Sequence, residues 1–240
     1  MNEMLSRAYG LIAELLVHPD ERDEARVVAG FEALDELPRS LAEPLRRFRE
    51  APEAMMAQEY VQVLELNPPC PLYLGAHLFD EPRTCRGAGA SGRNGYMLEL
   101  RSLYRHFGLE ADARELPDHV PLVVEFLGLS LGSQVSMAGQ LRRYLLEELV
   151  RPALEPMETK LREYDTVFQW PMTALRDAVD RDLIALEQFA TWVPANPDEV
   201  VGMRCDERLA NITQWLATEP TQGDRRKDRA RDETRERRSV

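Results

Sequence analysis

The sequence has 240 residues, and 44% of them are hydrophobic, so the chain is long enough to bury a sizeable core. Its formal net charge of -12 disfavours nucleic acid or an anionic membrane surface as the main partner, because both would be repelled over most of the surface. The low aromatic content of 7%, the charged content of 30% and only 13 glycines favour a helical protein over a sandwich or barrel.

Cysteine usage and hydropathy both indicate the compartment. Cys70, Cys85 and Cys205 are odd in number and widely spaced, which is typical of reduced thiols in the cytoplasm and not of a disulfide framework. The N-terminal sequence MNEMLSRAYG lacks the basic region and long apolar run of a signal peptide, and no later stretch reaches the ~18 apolar residues of a membrane span. We therefore expect a cytoplasmic protein without stable membrane insertion.

Apolar residues recur at helical spacing along the first quarter of the chain. The first stripe begins at Met4 and stops at the His-Pro-Asp break at 18–20. Three further stripes follow, at 27–34, 41–48 and 54–64. Pro38, Pro44 and Pro52 are expected at their starts or boundaries, because proline fits the first helical turn better than the interior. This part of the sequence predicts a series of short helices.

The middle of the chain combines an irregular connection with two strong helical signals. Residues 67–71 read NPPCP, and residues 81–95 hold one proline and four glycines, which predicts a long irregular connection. Helix resumes at Met97, and Gly108 lies where a left-handed C-terminal glycine is expected. The run 120–131 is apolar on nearly every side, which predicts a helix buried at the centre of a bundle.

The remaining stripes predict helices over approximately 140–150, 157–164, 174–192 and 198–216. Residues 221–240 hold eight Lys/Arg and five Asp/Glu but almost no apolar residues, so this segment cannot offset the entropy cost of folding. Its charge of +3 leaves -12 minus 3, or -15, for the rest of the chain. We therefore predict one all-helical domain at 1–217 and a disordered charged tail at 218–240.

The most specific stretch is ELPDHVP at 115–121, which leads into the apolar helix. On a helix that begins here, Asp118, Leu122 and Glu125 would lie near one face, with His119 beside them. An acidic, titratable spot next to apolar surface would suit a basic peptide. Alternatively, Asp118 is an N-cap that contributes about 1 kcal/mol, although a proline at the third helical position would offer it no N–H.

Other chemistries have weaker support. A catalytic dyad of the Asp and His in this stretch lacks a serine or cysteine in an elbow-like glycine context. The spacing of Cys70, His77 and Cys85 matches no tight pair of zinc ligands, and no fourth ligand is evident. The glycines of RGAGASG at 86–92 follow no strand and lack the Gly-Lys-Ser/Thr ending of a phosphate loop. We therefore expect no metal, no cofactor and no catalytic residue.

Three stretches taken together resemble the TorD/DmsD/NarJ family of redox-enzyme maturation chaperones. They are EYVQVL at 59–64 running into PPCPLY at 68–73, then residues 100–109, then LPDH at 116–119 with its apolar helix. Their order and separation are similar to that family over approximately residues 1–190. Within it, residues 72–79 and 93–97 look most similar to the branch that serves type II dimethyl sulfoxide reductase-like enzymes. CPLY at 70–73 departs from the Pro-Pro-Tyr-x-Ser-type stretch of the TorD and DmsD branches.

The resemblance implies an all-α, single-domain bundle of the TorD-like type that performs no chemistry of its own. Such a protein binds the cofactor-free catalytic subunit of a molybdenum oxidoreductase, often at its twin-arginine leader, until the molybdenum cofactor is inserted and export can proceed. Clients of the branch include ethylbenzene and dimethyl sulfide dehydrogenases and selenate and chlorate reductases, with nitrate reductase chaperones as near relatives. The candidate client-binding residues are Asp118, His119, Glu125, Tyr73, His77 and Tyr104.

Two interpretations from other classes stay open. A helical metal-dependent hydrolase would use the histidines and would require bound metal and turnover. A structural or regulatory adaptor would bind the mature enzyme as well as its precursor, whereas a chaperone should prefer the precursor.

Overall fold

The computed structural model describes residues 2–66, 68–80, 92–110 and 114–192, and every regular element in these ranges is helical. The predicted all-α fold is therefore confirmed. The expected helix at 198–216, the boundary after residue 217, the charged tail, Cys85 and Cys205 all lie outside the described residues. Within those same ranges, no helix combines the length and the apolar character that crossing a bilayer requires.

The N-terminal part is a series of short helices, as predicted. They are α1 (Asn2–Leu15), α2 (Glu24–Glu32), α3 (Arg39–Glu50) and α4 (Ala57–Tyr60), with 3-10 turns at Pro19–Glu21, Ala33–Glu36 and Pro52–Met55. Asp23 caps α2, because its carboxylate accepts a hydrogen bond from the backbone N–H of Arg26 at 3.1 Å. One π-helical segment, Val61–Glu65, extends α4.

The C-terminal part begins with a 3-10 turn and continues with longer helices. These elements are the turn Leu74–His77, α5 (Gly92–His106), α6 (Val120–Leu129), α7 (Ala138–Tyr144), the π-helical segment Leu145–Val150, α8 (Arg151–Glu163) and α9 (Gln169–Ala185). Gly108 has a φ of 77° just after α5, which confirms its predicted left-handed conformation. The predicted irregular connection extended to residue 95, but α5 already begins at Gly92.

Prolines account for two differences from the predicted helices. Pro44 lies inside α3 and not at a boundary. Its ring is buried, and this packing offsets the loss of the backbone hydrogen bond that a proline cannot donate. The sequence predicted separate helices at 140–150 and 157–164, whereas the structure has continuous helix over 138–163. Pro152 lies in the first turn of α8, two positions after the π-helical segment in which the regular i to i-4 bonding is interrupted.

The core is built around α1, which packs along α6 and also contacts α2 and α9, while α9 packs against α3 and α8. The predicted burial of α6 is confirmed over most of its surface: Val123, Val124, Phe126 and Leu127 are each at most 4% exposed. The remaining side reaches the surface. Glu125 is half-buried there, and Leu129 is 62% exposed.

A buried polar network joins four parts of the core. The carboxylate of Asp182 on α9 accepts hydrogen bonds from Arg142 Nε on α7 at 3.2 Å and from the hydroxyl of Tyr9 on α1 at 2.9 Å. Arg142 also donates to Ser130 Oγ at the end of α6. All four residues are at most 4% exposed. Burial, together with the Asp182 charge, raises the pKa of Tyr9 well above its ordinary value, so its hydroxyl stays protonated.

Candidate functional site

The two most specific stretches of the sequence meet in the structure. Tyr73 and His119 form an isolated antiparallel bridge, in which Leu74 N donates to Asp118 O and Val120 N donates to Leu72 O, each at 2.9 Å. The backbone that enters α6 is thereby fixed to the segment between the Pro-rich stretch and the 3-10 turn. The PPCPLY and LPDH stretches are therefore one structural unit, although 46 positions separate the bridged residues.

Asp118 is the buried centre of this unit. Its carboxylate is fully buried, and Oδ2 accepts hydrogen bonds from Gly75 N at 3.1 Å and from Arg93 Nε at 3.0 Å. The interpretation of Asp118 as an N-cap is wrong: α6 begins only at Val120, with His119 in the cap position and no side-chain cap hydrogen bond. Asp118 instead ties the 3-10 turn and α5 to the entrance of α6.

Gly75 approaches this carboxylate so closely that a side chain has no space. A Cβ atom there would lie 2.7 Å from Asp118 Oδ2 and 2.9 Å from Arg93 Cγ. We expect Gly75→Ala to lower the free energy of unfolding by about 1–3 kcal/mol, because the clamped carboxylate must shift. Urea unfolding measures this. Gly10→Ala on α1 is the control, since a Cβ there meets nothing within 4 Å, and it should be neutral or stabilising. Equal effects of the two substitutions would contradict the prediction.

A surface groove of about 250 Å³ lies between α1, the first 3-10 turn and the start of α6. We call it the acidic groove; it is lined by Ala13, Glu14, Val17, Glu21, Arg26, Glu115, His119, Pro121, Leu122 and Glu125. Glu21 and Glu115 are exposed and Glu125 is half-buried, so three carboxylates face solvent. The apolar lining residues, Ala13, Val17, Pro121 and Leu122, are buried or half-buried. The groove therefore combines an acidic rim with an apolar floor.

The charge of the acidic groove is only partly compensated. Arg26 pairs with Glu14 at 2.6 Å and with Glu125 at 3.5 Å, and it is the only arginine or lysine among the groove's described lining residues. Burial lowers the pKa of His119, although the carboxylates of Glu115 and Asp118 oppose that shift, so the ring is neutral near pH 7. Four carboxylates and one guanidinium leave a formal charge of -3.

Three of the predicted client-binding residues lie in or beside the acidic groove. His119 and Glu125 line it. Tyr73 adjoins it, because its hydroxyl donates to Glu115 Oε2 at 3.1 Å and its ring lies 5.2 Å from the His119 ring. Burial and the Glu115 charge raise the pKa of Tyr73, so this hydroxyl remains a donor. The structure thus places Tyr73, Glu115 and His119 in one contact cluster on the rim.

The other three predicted residues lie away from the groove lining. Asp118 is buried beneath it, as described above. Tyr104 is 2% exposed, and its hydroxyl donates to the carbonyl of Pro117 at 2.7 Å. His77 is partly buried, with Nε2 2.9 Å from the carbonyl of Pro71, and burial lowers the pKa of its ring.

The zinc interpretation of Cys70 and His77 gains no further ligand from the structure. Sγ of Cys70 lies 3.9 Å from His77 Nε2, and burial raises the pKa of the thiol to about 12. A protonated thiol is a poor metal ligand. In the described ranges, no group of three or more His, Cys, Asp or Glu side chains is arranged to hold a metal ion.

Sequence reasoning missed the part of the groove that comes from α1 and the turn after it. Glu14 is 8% exposed, although it is charged, because Arg26 and the backbone N–H of Asp23 satisfy its carboxylate. A glutamate beside the apolar stripe of α1 indicates that another group of the chain binds its carboxylate. The sequence does not say that this partner is Arg26, or that α6 lies opposite.

Comparison with known proteins supplies the family. A family model described as nitrate reductase delta subunit matches residues 29–165, which is more than half of the chain. The match includes the bridge, all six predicted residues and the α6 side of the groove, whereas Glu14, Glu21 and Arg26 precede it. No curated protein matches the chain. The chain belongs to the nitrate reductase delta subunit family, the NarJ/TorD-like chaperones of molybdoenzyme maturation.

Proposed function

We propose that this protein is a cytoplasmic, system-specific assembly chaperone that binds the cofactor-free catalytic subunit of a molybdenum oxidoreductase through its twin-arginine leader. The observation that carries the proposal is the acidic groove, with its formal charge of -3 over an apolar floor. A leader with paired arginines before an apolar stretch is complementary to both properties. The family membership supports the chaperone role, since this family assists the maturation of molybdoenzymes.

The rim provides the contacts for arginine. Glu21, Glu115 and Glu125 keep oxygens open to solvent, and a guanidinium can donate two parallel hydrogen bonds to one carboxylate. Arg26 already partly compensates Glu125, whereas Glu115 contacts only the Tyr73 hydroxyl and the neutral His119 ring in the described contacts. Glu115 is therefore the strongest candidate for the first leader arginine.

The exposed side of α6 provides the contacts for the apolar stretch of the leader. Leu122 lines the groove, and Leu129 follows seven positions later on the same helical face. Leu129 is 62% exposed, which leaves apolar surface next to the acidic rim. A leader helix or extended segment that continues from the arginines along this face would cover it.

Asp118, Tyr73 and Tyr104 serve in this proposal as positioning residues, whereas His77 contacts the Pro-rich stretch through the carbonyl of Pro71. Asp118 and the bridge hold the entrance of α6, and Tyr104 holds the carbonyl just before it. They fix His119 and Glu115 on the rim without touching the client. Asp118→Ala should therefore weaken client binding through a displaced rim, and Glu115→Gln through a lost contact.

We assign the clients to type II dimethyl sulfoxide reductase-like enzymes, such as ethylbenzene and dimethyl sulfide dehydrogenases or selenate, chlorate and nitrate reductases. The support is the sequence of residues 72–79 and 93–97, which resembles the branch serving those enzymes. In this role the chaperone releases the leader for export only after cofactor insertion. An adaptor would bind the mature enzyme as well as the cofactor-free precursor, and a hydrolase would turn over a substrate.

Neutralising the rim tests the proposed site. Titration of the full-length protein into a fluorescent client leader peptide should show about tenfold weaker binding for Glu115→Gln/Glu125→Gln, because two charge-assisted contacts are lost at a partly solvated surface. The dependence of affinity on salt should also become shallower. The control is Glu148→Gln/Glu155→Gln, which removes two exposed carboxylates outside the groove. Equal affinities of the two double variants would contradict the site.

Co-purification distinguishes the chaperone from the adaptor. The tagged protein should capture the catalytic subunit when molybdenum cofactor synthesis is blocked, and should capture the mature enzyme much less. Equal capture of both forms would indicate an adaptor. Undiminished capture of a subunit that lacks its leader would show that the chaperone binds the body of the client.

A further inference from the structure

Residues 221–240 carry charges that the chaperone function does not explain. The segment reads TQGDRRKDRARDETRERRSV, with paired arginines at 225–226 and at 237–238, and its formal charge is +3. The remainder of the chain carries -15. Paired arginines are also the feature for which the acidic groove is suited. A segment of this chain therefore has the charge pattern of the proposed client.

We propose that residues 221–240 occupy the acidic groove when no client is bound. The inference rests on the proposed function, since the same carboxylates would bind the arginines of the leader. The groove has a formal charge of -3, and the segment has a formal charge of +3. Arginine pairs can form bidentate hydrogen bonds with Glu21, Glu115 and Glu125, as the arginines of a leader would.

The chain is long enough for this contact. The described part ends at Trp192, and Arg225 follows 33 positions later. With the predicted helix at 198–216, a chain of that length spans up to about 75 Å, whereas a domain of this size is about 40 Å across. A binding segment tethered in this way has an effective concentration on the order of millimolar. Even a weak contact would then keep the groove occupied.

The composition of the segment makes it a weaker ligand than a leader. Ala230 and Val240 are its only apolar residues, so it can pair with the carboxylates but cannot cover Leu122 and Leu129. A client leader provides both arginines and an apolar stretch, and therefore displaces the segment. Basic peptides without an apolar stretch would have no such advantage. The segment thereby raises the selectivity of the groove.

Carbodiimide cross-linking of the full-length protein tests the contact directly. The chain has two lysines, Lys160 and Lys227, so zero-length links from Lys227 to carboxylates report where the segment lies. Mass spectrometry should find Lys227 joined to Glu21, Glu115 or Glu125, and these links should disappear in 1 M salt. Links of Lys160 to its neighbours are the internal reference. Lys227 links spread evenly over carboxylates outside the groove would overturn the inference.

Mixing isotope-labelled and unlabelled protein shows whether the segment in the groove comes from the same chain or from a second copy of it. Links within one chain support the proposal, whereas links only between labelled and unlabelled chains would overturn it in favour of pairing between two copies. The Glu115→Gln/Glu125→Gln variant should show a several-fold lower yield of groove links. Its Lys160 links should not change.

Competition between residues 221–240 and the client leader peptide tests this inference separately from the proposed function. Arg225→Gln/Arg226→Gln should bind the client leader peptide several-fold more tightly than the unaltered protein, while Arg101→Gln/Arg105→Gln, which removes two exposed arginines of α5, should not. The inference would be overturned if the rim variants weakened leader binding, but Lys227 formed no groove links and the Arg225→Gln/Arg226→Gln variant bound the leader no more tightly. The proposed function would then still stand. Groove links that the leader peptide cannot displace would overturn the function and leave the contact standing.

Discussion

Replacing Asp182 by alanine should lower the free energy of unfolding by about 3–5 kcal/mol, which is typical for removing one partner of a buried ion pair. Asp182 is 2% exposed and receives hydrogen bonds from Arg142 and Tyr9. Without its carboxylate, the guanidinium of Arg142 would remain buried with its charge uncompensated. Since a domain of this kind is stabilised by only about 5–15 kcal/mol, the loss is a large share of its stability.

Urea unfolding followed by circular dichroism checks this prediction. Asp180→Ala is the matched control on the same helix, because its exposed ion pair with Arg151 at 3.3 Å should contribute at most about 0.5 kcal/mol. Arg142→Met/Asp182→Leu should recover much of the stability, because both charges are removed together. A loss below about 1 kcal/mol for Asp182→Ala would contradict the role of the network.

Asp118→Ala should lower the free energy of unfolding by about 2–3 kcal/mol and also weaken leader binding. The carboxylate is fully buried, but the Arg93 side chain is 26% exposed, so solvent offsets part of the lost interaction. The expected loss is therefore smaller than at Asp182. Binding weakens because the entrance of α6, which carries His119, is no longer fixed to the 3-10 turn.

The two readouts together define what Asp118 does. Unfolding is measured in urea, and leader binding is measured where each variant is fully folded. Asp118→Asn retains an acceptor for Gly75 N and should lose only part of both quantities. If Asp118→Ala abolished binding without any loss of stability, Asp118 would be a direct client contact, and the positioning role would be wrong.

The sequence predicted the helices whose apolar period is uninterrupted, but it did not predict that helix continues through the prolines between residues 150 and 157. The stripe of α1, the apolar run of α6 and the terminal Gly108 are local patterns, and each agrees with the structure. The continuity of 138–163 is not a local pattern. It depends on a π-helical segment, stabilised by packing, that accommodates the proline at the start of α8.

The candidate site was also predictable only in part, because the sequence shows local patterns but not contacts between distant residues. The sequence indicates that residues 115–125 combine charge with an apolar helix. It does not show that Asp118 turns inward, because the partners that bind it, Gly75 and Arg93, lie 43 and 25 positions earlier. It also does not show that Glu14 and Arg26 stand opposite Glu125, since periodicity within one helix carries no information about its neighbours.

The buried hydrogen bond between Tyr9 and Asp182 joins residues 173 positions apart, which sets a condition on synthesis of the protein. At roughly 5–20 residues per second, a ribosome needs roughly 10 to 35 s to make the intervening chain. During that time, the apolar face of α1 lacks its partner α9, whereas every lining residue of the acidic groove lies at or before position 125 and has already been made. The ribosome therefore completes all residues of the acidic groove well before it makes the helix that closes the core around α1.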